Sequence, residues 1–257
     1  MLLLTDKYFS EYQTLLNRDL SDALPIGEKP VFAPDSFSFY TSVASVYSSK
    51  IEGEDIEADS YMKHRFMKVK FKPNYTKKTD DLYKAYEFAQ TNLLTIDNLF
   101  EAHSILTKNI LHDSQRGRIR FVPIYVTDQN EQILYVGTNP IHVKREFFKL
   151  MEDIETLLST ELTPNQCFYY AAQIHLLLLN VHPFNDGNGR SSRLLEKWFL
   201  AQKLGERAWY IPSERHYYRN LNDYYRNLQR IGLEYETLNY DRCLPFLLML
   251  PQSLSQV

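Results

Sequence analysis

Residues 163–199 read TPNQCFYYAAQIHLLLLNVHPFNDGNGRSSRLLEKWF. The stretch opens on Thr163-Pro164, a threonine suited to capping a helix and a proline in the first turn, where its missing N–H costs little. From Cys167 through Ala171, Ile174 and Leu178 to Val181 the chain is apolar on most faces, which predicts a buried central helix. Pro183 disfavours the α region for His182, so the helix is expected to end there and aim the imidazole out of the core. Asp186-Gly187-Asn188-Gly189 then lets the backbone turn tightly, and Leu194, Leu195, Trp198 and Phe199 resume a helical pattern. The glycines therefore sit at a helix N-terminus, where exposed N–H groups and the helix dipole favour an anion. Arg190 and Arg193, three apart on one face, can grip phosphate oxygens together. Asp186 offers one carboxylate, the usual protein share of a Mg²⁺ site completed by phosphate oxygens and water. Histidine, with an ordinary pKa of about 6.5, is largely neutral at pH 7 and can accept a proton. Each residue alone reads as a turn or as packing. A base, a metal ligand, an anion cradle and two cations within twelve residues do not.

Around this segment the composition points to a helical protein. The chain has 257 residues, with 29 Lys and Arg against 32 Asp and Glu, for a net charge of −3. That balance argues against a protein that coats nucleic acid, and 24% charged with 44% hydrophobic residues argues against disorder. Glycine is scarce at 8, against the roughly 18 that average usage would give, so turns should be few. Cys167 and Cys243 lie in no metal-spaced motif, and a reducing compartment is the default. MLLLTDKYF at the start lacks an apolar run of signal-peptide length, and IHLLLLNV and CLPFLLML fall short of the ~20 residues of a membrane span. The expectation is a soluble, cytoplasmic protein. Its 19 tyrosines are read as half-buried helix packing.

The flanks divide as follows. Pro25, Pro30 and Pro34 break residues 1–35 into short helix pieces and loop. Phe37, Tyr40, Val43, Ala44, Val46, Tyr47 and Ile51 fall mostly at three- and four-residue spacing, an amphipathic helix with Gly53 as its natural stop. The basic stretch Lys63, Arg65, Lys68, Lys70, Lys72, Lys77, Lys78 follows the acidic Glu54, Asp55, Glu57 and Asp59, and reads as a solvated connector paired with its neighbours. It places a boundary between an amino-terminal extension, 1–78, and a main domain, 79–250, with 251–257 as a tail. Residues 80–111 read as two helices. Arg118-Ile119-Arg120-Phe121 and Ile133-Leu134-Tyr135-Val136, around the turn-like Thr127-Asp128-Gln129-Asn130, predict a β-hairpin. Helices resume at about 140–158. The fold class is mainly α with one short hairpin.

His182-Pro183-Phe184-Asn185-Asp186-Gly187-Asn188-Gly189-Arg190-Ser191-Ser192-Arg193 resembles the signature of the Fic family (filamentation induced by cyclic AMP), H-x-F-x-[DE]-G-N-G-R-x-x-R, at every fixed position. Seven single-residue positions and one two-way choice make a chance match far rarer than roughly one in a million. The resemblance covers about residues 80–250 as a Fic-type helical core, and implies transfer of AMP from ATP to a protein hydroxyl. It makes His182 the general base on a target Ser, Thr or Tyr, and Asp186 the ligand of a Mg²⁺ ion bridging the α- and β-phosphates. It makes Gly187, Asn188 and Gly189 the anion hole, Arg190 the β-phosphate contact and Arg193 the γ-phosphate contact. Some relatives carry an inhibitory [ST]-x-x-x-E-[GN] sequence, which Ser48-Ser49-Lys50-Ile51-Glu52-Gly53 fits; by analogy Glu52 pairs with Arg193 and stops the γ-phosphate from docking productively. The hairpin matches the family's flap, which pairs with target backbone by strand addition, with its nucleotide-contacting edge at Leu134, Tyr135, Val136 and Gly137. Asp223-Tyr224-Tyr225 resembles the helix beside the adenine, with Tyr224 the contact. The family's Asn-Arg before that pair is here Asn220-Leu221, and Gly232 stands where some relatives place an adenine-contacting Asn, which leaves UTP, GTP or CDP-choline open as donors.

The function implied is a Mg²⁺- and ATP-dependent protein adenylyltransferase autoinhibited by Glu52. The same site run in reverse, with Glu52 positioning a water, would remove AMP from a target. A non-catalytic nucleotide-binding module would need no base, which His182 speaks against. A DNA-binding regulator would need the 63–78 patch to do everything, so nucleic acid is not the expected partner. Many relatives form dimers, which leaves a homodimer open, and no membrane partner is expected.

Overall fold

In a computed structural model the chain is described over residues 1–72, 74–127 and 133–256, with side chains described for the same residues except 127, 133, 134, 255 and 256. Its centre is the helix expected from the apolar run, α7, Pro164–Val181. Thr163 caps it through the Gln166 N–H while the Gln166 side chain accepts from the Thr163 N–H, a reciprocal capping box. Cys167, Phe168, Ala171, Ile174 and Leu178 are buried on its several faces. Antiparallel to it, α8, Asn188–Leu204, buries Leu194, Leu195, Trp198 and Phe199. Around this pair lie α1 (Phe9–Leu16), α2 (Ser36–Ile51), α3 (Ala58–Met67), α4 (Lys77–Thr91), α5 (Ile96–Leu106), α6 (Pro140–Ser159), α9 (Ser213–Arg219) and α10 (Leu221–Gln229). Two four-residue helices, Leu244–Leu247 and Met249–Gln252, pack against α7.

Residues on both sides of position 78 share one core: Leu4, Tyr12, Leu20, Phe37 and Ile51 belong to the same buried cluster as Leu176 and Leu195. The first residues are held by polar contacts as well, since the Asp153 carboxylate accepts from the N–H groups of Leu2, Leu3 and Leu4 at 2.6, 2.6 and 2.7 Å. Three of the seven residues of the basic stretch are in ion pairs: Lys63 with Asp59, Arg65 with Glu87 and Lys78 with Glu54. Among the described residues no helix is long and apolar enough to cross a membrane.

The hairpin is present but shifted. Its strands are β1, Tyr125–Thr127, and β2, Ile133–Val136, antiparallel with Tyr125 opposite Val136 and Val126 opposite Tyr135. The expected first strand at Arg118–Phe121 is not one. Arg120, whose alternation with Ile119 and Phe121 mimicked a strand, is buried, and its backbone N–H goes to Pro183 O rather than to a strand partner. Pro123 follows, with no N–H to offer a ladder. The turn residues 128–130 lie outside the described residues, as does the side chain of Leu134.

Candidate active site

α2 and α8 set the site. α2 begins at Asp35, whose side chain accepts from the Ser38 N–H, and ends with Glu52 at its C-cap and Gly53 at φ +82°, the stop expected of that glycine. This delivers Glu52 to the start of α8, 141 residues away in sequence. Glu52 Oε1 lies 2.6 Å from Arg193 Nη2, with Arg193 1% and Glu52 24% exposed at the side chain. Arg193 also donates through Nε to Ser48 Oγ (2.8 Å), through Nη2 to the Ser48 carbonyl (3.1 Å) and through Nη1 to the Tyr224 hydroxyl (3.5 Å). Ser48, Glu52 and Gly53 therefore act as one unit: Ser48 and Glu52 hold the arginine, and Gly53 ends the helix at that point. Burial alone would raise the Glu52 carboxyl, but Arg193 and Arg190 outweigh it and hold the group below its ordinary value. Burial likewise opposes the charge on Arg193, and Glu52 more than restores it.

The N-terminus of α8 is uncapped. Gly187, at φ +80°, occupies the N-cap position with no side-chain cap, so the first amides of the helix are left for an outside acceptor. Asn188 is a clamp rather than a cap: its Oδ1 accepts from Phe184 N–H (2.9 Å) and its Nδ2 donates to Phe184 O (2.8 Å), which holds the turn shut beneath those amides. Gly189 lets Glu52 approach closely, since a Cβ there would displace the Glu52 carboxylate. Arg190 is buried one turn into the helix, 3.6 Å from Glu54, and its Nε and Nη1 have no hydrogen-bond partner among the described residues. Buried, charged donors left unpaired are costly, and an anion at this terminus is the partner the chemistry asks for.

His182 is the C-cap of α7, where the helix was expected to end, and lies in the left-handed region at φ 51° and ψ 59°. Its Nδ1 lies 3.1 Å from Leu179 O. A carbonyl only accepts, so Nδ1 carries the proton and Nε2 keeps its lone pair. Burial pushes the imidazole down to about 4, reinforced by Arg120 and only partly offset by the Leu179 carbonyl, Glu52 and Asp186. The ring is thus neutral at pH 7, the form a base requires. Beneath it Arg120 donates to the carbonyls of His182 (2.7 Å), Val122 (2.6 Å) and Thr138 (2.5 Å). Arg120 thereby pins His182 to the foot of the hairpin. Read as a strand residue, it carried no signal of this role in the sequence.

His182, Glu52, Gly189, Arg193 and Tyr224 line one cleft of about 160 Å³ with Tyr135 and Val126 of the hairpin. Its other walls are Ile51, Leu179, Asn180, Tyr225, Leu228 and Gln229, largely apolar and suited to a flat ring. Of the flap residues, Tyr135 lines the cleft and its hydroxyl donates to Asn180 O. Val136 and Gly137 do not line it; their N–H groups go to Leu233 O and Ile124 O. Tyr224 is buried, with its hydroxyl between Arg193 and His175 Nε2 (3.0 Å), and His175 in turn meets Glu196 (2.7 Å), which accepts from Tyr217 (2.8 Å). Tyr225 donates to Ile51 O at 3.1 Å and so holds the end of α2. Asp186 is exposed, with Oδ1 taken by the Gly187 N–H. Among the described residues no three metal-ligating side chains converge. One free carboxylate oxygen beside an anion site fits Mg²⁺ that arrives with phosphate, and does not fit a metal held by protein alone.

Residues 93–200, which hold His182, the turn and both arginines, match a family model described as the Fic/DOC family. The chain carries a Fic domain. Among curated proteins it is 31% identical to a "Protein adenylyltransferase Fic" of Nematostella vectensis over half of this chain and 28% of that protein. It is 34% identical to one of Aedes aegypti over 42% of this chain and 21% of the relative. The matched segment spans about a quarter of the length of these relatives. Among solved structures, a Fic family protein from Desulfovibrio desulfuricans G20 superposes with a TM-score of 0.70 at 18% identity, covering 97% of this chain and 70% of that one. Fic-1 from C. elegans gives 0.65 at 18% identity, covering 98% and 71%. At such identity these two establish the fold alone: mainly helical, with the hairpin, as the signature implied.

Proposed function

We propose that the protein is an adenylyltransferase that moves AMP from ATP to a hydroxyl side chain of a target protein, and that its own Glu52 holds it in a low-activity state. The observation that carries the reading is the cleft itself. An uncapped helix terminus and a buried arginine with two unpartnered donor nitrogens stand with a neutral histidine whose Nε2 has no hydrogen-bond partner among the described residues. Binding alone needs the first two and not the third. The family and the names of the curated relatives support the same reaction.

In the proposed reaction the target oxygen forms a bond to the α-phosphorus, the bond from that phosphorus to the bridging oxygen breaks, and pyrophosphate leaves. His182 Nε2 takes the proton of the attacking hydroxyl. The amides of Asn188 and Gly189 and the donors of Arg190 stabilise charge on the departing phosphates, a matter of positioning and electrostatics rather than covalent work by the protein. Asp186 would hold Mg²⁺, which neutralises phosphate charge when bound. Val126, Leu228 and Tyr225 give the base a slot, and Tyr135 shapes the flap side of it. Glu52 occupies the arginine that the terminal phosphate needs.

The test places Arg193→Ala in a Glu52→Gly background. Glu52→Gly alone is expected to transfer label from α-labelled ATP and the double variant to lose it; full activity of the double variant would contradict the role given to Arg193.

A further inference from the structure

We propose that His103, on α5 and outside the signature, is a positioning residue that sets the orientation of the Asp186–Gly187 peptide, and through it the aim of the Asp186 carboxylate and of the anion-binding turn; this rests on the reading of that turn as the phosphate site.

The geometry leaves the ring one arrangement. His103 is 0% exposed. The Gly117 N–H lies 2.9 Å from Nδ1, and an amide nitrogen only donates, so Nδ1 is the acceptor. Nε2 therefore carries the hydrogen and donates to the Asp186 carbonyl at 2.9 Å. Both ring nitrogens are satisfied by neutral imidazole in this single tautomer. The ring is held in plane by Phe184, stacked at 3.7 Å between centroids and 21° between planes.

The consequence follows from peptide planarity. With the Asp186 carbonyl drawn inward to His103, the N–H of Gly187 in the same peptide points the other way. There it donates to Asp186 Oδ1 at 2.5 Å, which ties down one carboxylate oxygen and leaves the other for a ligand. Gly187 packs closely against the end of α5, where an added Cβ would sit 2.7 Å from Thr107 Cγ2 and 3.4 Å from His103 Nε2. The chain of contacts runs from the Gly117 amide through the imidazole to the Asp186 carbonyl, and through the shared peptide to the carboxylate. The turn is thereby referenced to α5, an element that contributes no side chain to the cleft. Without the donor the peptide is free to rotate, and carboxylate and amide lose their common aim.

A ring that merely fills space would act as well as phenylalanine; a positioning ring would not. The full chain with Glu52→Gly is compared with the same protein carrying His103→Phe or His103→Gln. Glutamine can restore the donor and phenylalanine cannot. Transfer from α-labelled ATP is followed against Mg²⁺ concentration, MgATP affinity by calorimetry, and folding by thermal melting. His103→Phe is expected to lower kcat by about 10- to 100-fold, the effect of one buried carbonyl left unpaired at a charged site. It should also raise the Mg²⁺ half-saturation and weaken MgATP about 10-fold, with His103→Gln recovering most of each. Unchanged kcat and affinity in His103→Phe, or equal losses in both variants, would overturn the proposal. A parent that binds MgATP without transferring AMP would sink the adenylyltransferase reading, while the affinity series would still decide the role of His103. A parent that does not bind MgATP would overturn both. Should His103→Phe not fold, ¹⁵N NMR of histidine-labelled protein decides: protonation of His103 at Nε2 is expected, and at Nδ1 would refute the geometry.

Discussion

Replacing Glu52 by glycine should convert an occupied arginine into a free phosphate ligand, and the structure sets the size of the effect. Four contacts hold Arg193, and only one of them is to Glu52, at 2.6 Å; Ser48 supplies two and Tyr224 the fourth. The substitution therefore does not strand a bare buried charge, which costs about 3–5 kcal/mol. The remaining partners, and water entering where the 24%-exposed carboxylate stood, should limit the stability loss to about 1–2 kcal/mol. In exchange, one charge-assisted hydrogen bond to a terminal phosphate contributes about 1.5–3 kcal/mol, or roughly 10- to 150-fold in affinity. ADP, which lacks that phosphate, gains only the relief of repulsion from Glu52 and should tighten several-fold at most. Calorimetric titration of wild type and Glu52→Gly with MgATP and MgADP reads both numbers. Equal changes for the two nucleotides, or none for ATP, would refute the pairing of Glu52 and Arg193 as the inhibitory contact.

Stability should fall with acid between pH 6.5 and 4. Burial holds His182 and His103 in the folded state at about 4, so the unfolded chain takes up protons first, and each group's contribution, full above pH 6.5, is reduced by about 3 kcal/mol at pH 4. Glu52, held below its ordinary value, adds loss in the same direction at the lower end. Urea unfolding at pH 7 and pH 4.5 checks this, and a pH difference left unaltered by His182→Asn would count against the buried neutral imidazole. Arg120→Ala should destabilise by about 3 kcal/mol or more, because three carbonyls lose their donor at once, and Arg120→Lys should not rescue it; a melting temperature within a degree of wild type would contradict the clamp. Tyr225→Phe keeps the ring but frees Ile51 O, and should raise MgATP affinity of the otherwise wild-type protein by about 2- to 10-fold; weaker or equal binding would show that the hydroxyl does not hold α2 in place.

What the sequence discloses depends on whether a residue's partner is local. α7 was legible because Thr163, Pro164 and Gln166 cap it within one turn and its apolar run needs no distant partner to be recognised. The turn at 186–189 was legible for the same reason. Arg120 was misread because its partners, the carbonyls of His182, Val122 and Thr138, are assembled by the tertiary fold, while its neighbours happen to alternate like a strand. His103 gave no signal: a single histidine on an amphipathic helix meets Asp186, 83 residues on, only after α5 packs against the turn. The Glu52–Arg193 pair spans 141 residues, and nothing in spacing or charge links the two; it was reachable only through the resemblance of Ser48–Gly53 to an inhibitory sequence. Tyr224 was expected beside the adenine; it lines the cleft, and its hydroxyl goes to Arg193 and His175, a buried network that no local pattern predicts.

The most direct test of the account is incorporation of label from α-labelled ATP and Mg²⁺ into protein by wild type, Glu52→Gly, and Glu52→Gly with His182→Ala. Label on the Glu52→Gly protein alone is the predicted result, and establishes AMP transfer, inhibition by Glu52 and the base together. Equal labelling by wild type and Glu52→Gly would contradict the inhibition, labelling that survives His182→Ala would contradict the base, and no label on any of the three would contradict the transfer itself.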